Sequence, residues 1–386
     1  MLLPLRFVVA LAGCALFSLP LAAEEKSGPL RAAVQPLVES NSLAGAVMLV
    51  ANGEKVLDVE TAGFADREAR TPMPADALFW IASMSKAMTA ASVMMLVDEG
   101  KVKLDDAVEK YLPEFKGQMV IAEQDAQHVL LKPPGHPITV REVLSHTSGL
   151  PFKSPFEFPT LDLLPLASAV RGYAGQPLVF EPGTKYQYSN EGINTAGRIV
   201  EAVGGMKFEE FLDRRLFGPL GMTDTTFWPT KEQQARLAKS YKGKADKSDL
   251  EVTGVGQLVL PLDDRHRGPM PAGGLFSTAQ DVARFCQMLL NQGTLGGKRV
   301  LSEAAVKEMS SKQTGDQVKD NYGFGLSVGA DGSYGHGGAY ATDMKIDPAH
   351  GLVFVYLVQH AGWRDDLGKT GPGVFRKAAL EAFGAK

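Results

Sequence analysis

The chain has 386 residues, of which 45% are hydrophobic and 22% are charged, with 23 prolines, 41 glycines and 2 cysteines. This is an ordinary globular composition, which argues against disorder, a collagen-like repeat or a disulfide scaffold. The formal net charge of −4 gives no sign of a nucleic-acid-binding surface, and the only long apolar run is N-terminal, so no later segment is expected to span a membrane.

The first 23 residues are predicted to be a secretory signal peptide. A short segment with one positive charge precedes an apolar stretch over residues 7–19, and small residues end at Ala23 before an acidic segment. Cleavage after Ala23 would export the mature chain, residues 24–386, to the periplasm or the medium. Lipid anchoring through Cys14, in Leu11-Ala12-Gly13-Cys14, is less favoured because the apolar run continues to Leu21.

The predicted elements place strands at both ends of the mature chain and helices between them. A hairpin is predicted from 46–50 and 55–64 around Asn52-Gly53, a turn pair that tolerates positive φ. Helices are predicted at 86–99, after a Thr139–Glu142 capping box, at 190–203, at 208–216, from a Ser277–Gln280 cap to 293, and at about 374–382. Later strands are predicted at 322–328, 339–346 and 352–358.

This order predicts an α/β (α+β) fold in which one sheet is built from both ends of the chain. Residues 24–82 and about 265–386 would form the α/β part, and residues 83 to about 264 a mainly helical insertion.

Ser83-Met84-Ser85-Lys86 is the only S-x-x-K sequence in the chain. Residues three apart share a helix face, so the Lys86 amine can reach the Ser83 hydroxyl. Ser83 is expected at the start of the helix, where unpaired N–H groups favour developing negative charge. A serine hydroxyl becomes a useful nucleophile when a neighbouring base takes its proton. The alternative is a capping serine beside a solvated lysine.

Tyr188-Ser189-Asn190 is the only Y-x-N sequence. A tyrosine whose pKa is lowered by a nearby ammonium can act as a general base, and Asn190 can orient it or the substrate. The alternative is a core tyrosine beside a helix-capping Ser189 or Asn190.

A third motif, [K/H]-x-G, has five matches, of which two merit comparison. Lys369-Thr370-Gly371 is followed by Pro372, which has no N–H to offer a reacting carbonyl. His336-Gly337-Gly338 instead leads into a predicted strand that begins at Ala339, and its glycines allow close approach to the backbone. We therefore select His336.

Together, these motifs resemble those of the β-lactamase-related serine hydrolases, which include class C β-lactamases, DD-peptidases, D-aminopeptidases and esterases. Further similar stretches are LSHTSGL at 144–150, EPGT at 181–184, GGLFST at 273–278 and GHGG at 335–338. The resemblance implies an antiparallel sheet flanked by helices, with the site in a groove beside a helical region.

The resemblance also implies a role for each motif residue. Ser83 would be the acylated nucleophile, Lys86 its proton partner and Tyr188 the base. Asn190, His336, Gly337 and Gly338 would bind substrate. The backbone N–H groups of Ser83 and Ala339 would form the oxyanion hole.

One departure bears on the substrate, because His336 stands where class C β-lactamases have lysine. Histidine, with an unperturbed pKa of about 6.5, attracts a substrate carboxylate less strongly at neutral pH.

The prediction is an exported hydrolase of esters or D-amino-acid peptides. A class C-like β-lactamase and a penicillin-binding sensor without turnover are the alternatives. The substrate would be a small molecule or peptide, and no cofactor or metal is expected, since H-E-x-x-H and paired cysteines are absent.

Overall fold

The computed structural model describes residues 28–246, 248–361 and 367–384. The predicted signal peptide, residues 1–23, lies outside the described residues, and so does Cys14. Among the helices of the described ranges, none combines the length and apolar character needed to cross a bilayer.

The strands of the described chain are short except near its two ends. In chain order they are β1 (Gly45–Asn52), β2 (Val56–Asp66), β3 (Thr71–Pro72), β4 (Phe79–Trp80), β5 (Val120–Gln124), β6 (Val129–Lys132), β7 (Ser240–Gly243), β8 (Leu250–Thr253), β9 (Phe276–Ser277), β10 (Thr294–Leu295), β11 (Lys298–Arg299), β12 (Ser327–Val328), β13 (Tyr334–Gly337), β14 (Asp343–Asp347) and β15 (Leu352–Leu357).

The helices occupy mainly the middle of the chain. They are α1 (Pro29–Glu39), α2 (Ser85–Asp98), α3 (Val140–Leu144), α4 (Leu166–Ala174), α5 (Asn190–Gly204), α6 (Phe208–Leu212), α7 (Gly218–Leu220), α8 (Lys231–Gln234), α9 (Ala279–Leu290), α10 (Glu303–Met309) and α11 (Leu367–Phe383).

The largest sheet among the described residues joins strands from both ends of the chain, as the sequence predicts. Its order is β12-β13-β14-β15-β1-β2-β3, and neighbouring strands are antiparallel. At its centre, Val47 of β1 lies opposite Leu357 of β15 and Thr61 of β2. The N-terminal hairpin is thereby paired with the C-terminal strands.

Helices cover both faces of this sheet because β1 is apolar on both sides. Side chains alternate across a strand. Val47 and Leu49 therefore enter the core shared with α2 and α9, whereas Met48 and Val50 pack with α1 and α11 on the other face.

Helix α2 is buried on all sides between the sheet and the helical region, with each residue from Ser85 to Leu96 buried. A helix that is apolar all round belongs in a protein interior. It packs against α5, and the 3₁₀ turn Ala82–Met84 before it contacts β13. The S-x-x-K motif therefore lies where the helical region meets the sheet.

The predicted strand 339–346 begins too early: β14 starts at Asp343, because the chain turns between Gly338 and Thr342. β13 ends at Gly337, and the Gly338 N–H donates to the Thr342 carbonyl at 2.7 Å. Ala341 adopts φ +64° within this turn, and β14 then returns antiparallel to β13. His336 is thus inside a strand, and Ala339 follows that strand in a turn.

Other predicted boundaries differ for local reasons. In the described backbone neither Asn52 nor Gly53 has positive φ; instead the Asn52 side chain accepts the N–H groups of Glu54 and Lys55. The cap of α9 is Thr278, which accepts from the Asp281 N–H, while Ser277 belongs to β9.

Three further segments differ from the prediction in extent. Of 322–328 only Ser327–Val328 is strand, and the closing helix starts at Leu367. Helix α6 ends at Leu212 and is followed by a π-helical turn at Asp213–Phe217.

A buried ion pair joins the loop before α4 to the loop before β9. Arg267 Nε donates to Asp162 Oδ2 at 2.6 Å, and each residue is 2% exposed. The guanidinium also donates to the carbonyls of Phe227 and Leu262.

Removing the acidic partner is expected to destabilise the protein strongly. Asp162→Ala leaves the Arg267 charge buried without its anion, which should lower the free energy of unfolding by about 3–5 kcal/mol in urea titrations. Glu381→Ala, which breaks the exposed Lys377–Glu381 pair of α11, is the control and should leave the urea midpoint nearly unchanged. Equal effects of the two substitutions would contradict the prediction.

Candidate active site

Ser83 lies in a strained turn that presents it to a cavity. It belongs to the 3₁₀ turn Ala82–Met84, which leads directly into α2 at Ser85, so Ser83 lies at the start of the helical segment as expected. Ala82 has φ +46°, a conformation that L-residues other than glycine rarely adopt. From Ile81 to Lys86 only Ser83 is not buried.

The Lys86 amine is buried and surrounded by neutral oxygen atoms. Nζ lies 3.1 Å from Ser83 Oγ, 2.8 Å from Asn190 Oδ1 and 2.5 Å from the Ala272 carbonyl oxygen. Burial lowers the pKa of Lys86 well below its ordinary value. A neutral amine has two hydrogens and one lone pair. The two carbonyl-type oxygens can only accept, so the lone pair is left for the Ser83 hydroxyl proton.

Tyr188 faces the same cavity, beside Lys86 and Ser83. Lys86 Nζ lies 4.7 Å from the centroid of the Tyr188 ring, and the Tyr188 hydroxyl lies 3.4 Å from His336 Nε2. Burial raises the pKa of Tyr188 above its ordinary value, although a hydrogen bond with the Ser83 side chain acts in the opposite direction. The expected lowering of this pKa by an ammonium group is therefore not found, and the raised pKa favours the protonated phenol.

Asn190 is the first residue of α5, whose N-cap is Ser189. The Ser189 hydroxyl accepts from the Gly192 N–H at 3.0 Å, so capping and site roles fall on adjacent residues. Asn190 lines the cavity and holds the Lys86 amine through Oδ1. The structure thus brings together all four members of the two motifs, Ser83 and Lys86 with Tyr188 and Asn190.

His336 lies behind the cavity wall. Its Nδ1 is 2.6 Å from the Gly337 carbonyl oxygen, which can only accept, so Nδ1 carries the hydrogen. Nε2 then accepts from the Tyr322 hydroxyl at 3.0 Å. Burial lowers the pKa of His336 to about 4. Both ring nitrogens are engaged with protein groups, so His336 is not placed to bind a substrate carboxylate as the resemblance implied.

The cavity itself is small and uncharged. It has a volume of about 250 Å³, and the described residues that line it include no Asp, Glu, Lys or Arg. Apolar surface comes from Trp80, Phe152 and Met270, and backbone comes from Gly337, Gly338 and Ala339. A side chain at Gly338 would meet the Ile81 carbonyl at 2.6 Å, which explains the glycine.

Two further residues that organise the site escaped the sequence motifs. His146, at φ +62°, accepts the Ser189 N–H on Nδ1 at 3.1 Å, and its carbonyl accepts the Gln187 N–H at 2.9 Å. It therefore holds the main chain on both sides of Tyr188. Tyr322 orients His336 as described. The LSHTSGL stretch contained His146, but no spacing rule connects position 146 to position 188.

The competing motif Lys369-Thr370-Gly371 lies in α11 and not in a strand beside the site, as the argument from Pro372 predicted. Within the described ranges, no three His, Cys, Asp or Glu side chains are grouped so as to hold a metal ion.

Comparison with known proteins identifies the family. The family described as Beta-lactamase matches residues 30–375. Protein Rv1367c of Mycobacterium tuberculosis is 33% identical over 363 residues, covering 86% of this chain and 89% of that protein. Esterase EstB of Burkholderia gladioli is 29% identical over 373 residues, covering 86% and 90%.

Among solved structures, EstCE1, described as a hydrolase with promiscuous acyltransferase activity, is similar with a TM-score of 0.76. Its sequence identity is 26%, and the match covers 91% of this chain and 97% of that one. With the antiparallel sheet, the flanking helices and the serine–lysine–tyrosine cluster, these findings show that the chain belongs to the β-lactamase family of serine hydrolases and has the β-lactamase/transpeptidase-like fold.

Proposed function

We propose that this protein is an exported serine hydrolase that cleaves uncharged esters or amides through an acyl-enzyme on Ser83. The observation that carries this proposal is the Lys86 amine. Its hydrogens are directed to Asn190 and Ala272, and its lone pair is left for the Ser83 hydroxyl at 3.1 Å. A serine activated by a neighbouring base is the requirement for nucleophilic catalysis of acyl transfer.

The pKa directions support a division of labour between the two proton carriers. Neutral Lys86 takes the Ser83 proton as Oγ attacks the substrate carbonyl carbon, and a tetrahedral intermediate forms. Tyr188, which burial keeps protonated, delivers a proton to the leaving oxygen or nitrogen and is reprotonated from Lys86. This differs from the role of base that the resemblance implied for Tyr188. Water then hydrolyses the acyl-enzyme by the reverse sequence of proton transfers.

The backbone N–H groups of Ser83 and Ala339 are proposed to stabilise the oxyanion. Both residues line the same cavity, one from the turn before α2 and the other from the turn after β13. One such donor typically contributes about 2.7–4 kcal/mol to transition-state stabilisation.

The uncharged cavity favours neutral substrates over β-lactams and carboxylate-ended peptides. A substrate carboxylate would find no cationic side chain among the described lining residues, and His336 is buried behind the wall. The similarity to esterase EstB supports the same preference. Ester hydrolysis is therefore the activity we put first, ahead of β-lactam turnover.

Substitution of the nucleophile provides the first test. Ser83→Ala should lower kcat/KM for p-nitrophenyl acetate about a thousandfold or more, because the acyl-enzyme cannot form. Intact-protein mass spectrometry should detect an acyl adduct on the unsubstituted protein and none on the variant.

The matched control is Ser92→Ala on the same helix, since the Ser92 hydroxyl is buried and bonded to the Met88 carbonyl within α2. The Ser92→Ala variant should keep most of the esterase activity. Full activity of the Ser83→Ala variant would refute the proposed function.

The pH profile tests the role of Lys86. Because the active amine is neutral, kcat/KM for a neutral ester should fall as the pH drops through the Lys86 pKa, which burial places well below the ordinary lysine value. His336 should add no limb near neutrality, since its pKa is about 4. Lys86→Met should remove the limb together with most of the activity. A limb at the pKa of an exposed lysine, or one near that of a free histidine, would contradict this assignment.

Export is the remaining part of the proposal and is supported by the three-part pattern of residues 1–23. Expression of the full chain in a bacterium should yield, in the periplasm or medium, a protein whose first residue is Glu24. Recovery of only the uncleaved chain from the cytoplasm would oppose export, whereas a lipid-modified Cys14 would establish the alternative cleavage.

A further inference from the structure

The loop between α3 and α4 starts and finishes at the wall of the catalytic cavity. Phe152 lines the cavity, and its ring stacks on Tyr188 with centroids 6.2 Å apart. Further along, the Leu161 N–H donates to the carbonyl of Gln257, which also lines the cavity. We call residues 152–161 the mouth loop, because both of its ends are fixed at the cavity opening.

The mouth loop exposes large apolar side chains. Phe152, Phe156 and Phe158 are 47%, 58% and 80% exposed. Val259, whose N–H donates to Thr160 Oγ1 near the end of the loop, is 54% exposed. Single exposed apolar residues are ordinary, but several within one short loop that borders a site are typical of a binding surface.

The loop is held from beneath by buried polar groups. Glu157 accepts from the Tyr173 hydroxyl at 2.5 Å and from the Ser154 N–H at 3.0 Å. Beyond the loop, Asp162 is held by the buried Arg267. The aromatic rings are thus presented on an ordered support, so a ligand that covers them does not have to order the loop first.

The size of the cavity indicates what these rings contact. Pockets for drug-sized ligands usually measure about 300–1,000 Å³, and this cavity is smaller at about 250 Å³. A substrate larger than a short acyl ester therefore extends out of the cavity, and Phe152 connects the cavity wall to the mouth loop. The one exposed charge between Phe152 and Thr160 is Lys153, so the test must separate apolar from anionic groups.

We propose that the mouth loop, with Val259, forms a subsite for an apolar chain of the substrate, so that the substrates are neutral esters with a medium-length or bulky hydrophobic group. This proposal rests on the proposed function, since the chain is positioned by an ester carbonyl held at Ser83. Each further methylene of the substrate covers more of the apolar surface of the mouth loop, and this burial makes longer esters better substrates than shorter ones.

The test uses monomeric p-nitrophenyl esters from acetate to octanoate, together with an octanoate ester that ends in a carboxylate. For the unsubstituted protein, kcat/KM should rise about twofold to fourfold per methylene beyond the length that the cavity accommodates. Phe158→Ser should lower the octanoate-to-acetate ratio of kcat/KM about fivefold. Leu130→Ser, which removes a similarly exposed side chain from the separate β5–β6 sheet, should leave that ratio unchanged.

The three outcomes that follow would each overturn the proposed subsite while leaving the proposed acyl-enzyme on Ser83 intact. A flat chain-length dependence, or the same ratio in Phe158→Ser, would remove it while Ser83→Ala remains inactive. A preference for the carboxylate-ended ester would assign the mouth to anions through Lys153. Phosphatidylcholine vesicles that sediment the unsubstituted protein but not Phe158→Ser would assign the rings to a lipid surface. Activity of Ser83→Ala, by contrast, would overturn the proposed function itself.

Discussion

An amine buried without an anion is the constraint on which the site depends. An ammonium ion transferred to a protein interior loses several kcal/mol of hydration free energy unless a counter-charge compensates. Lys86 has carbonyl-type oxygens and a hydroxyl as its partners, so the protein favours the neutral amine. Asn190 and Ala272 lie on different segments, and both must be in place to use the amine's hydrogens. One nitrogen therefore couples the assembly of three parts of the chain to the activation of Ser83.

Much of the architecture could be predicted from the sequence because it follows from local rules. The apolar run of β1, the capping box at Thr139 and the helical spacing after Lys86 each depend on neighbours in the chain. A serine and a lysine three residues apart must be close in any helical turn, so the serine–lysine pair of the site could also be predicted from the sequence. The pairing of both chain ends in one sheet followed from the order of the elements.

What the sequence could not provide depends on burial by distant segments. Tyr188 has a raised pKa because surrounding parts of the chain exclude water, and the spacing of residues in a motif does not reveal such burial. His336 was expected to bind substrate, but its buried ring has Gly337 and Tyr322 as partners and does not line the cavity. His146 is 42 residues from Tyr188 in sequence and becomes its neighbour only when the helical region is packed.

The left-handed backbone at Ala82, His146 and Ala341 has a consequence for engineering this protein. Each residue adjoins the site, and each holds a conformation that glycine would adopt with less strain. A thermostability programme that screens for such positions would select all three. Glycine at these positions would relieve the strain but would also loosen the turn that carries the nucleophile, the main chain around the tyrosine and the loop after the wall strand. We therefore expect any gain in thermal stability at these three positions to be accompanied by a loss of activity.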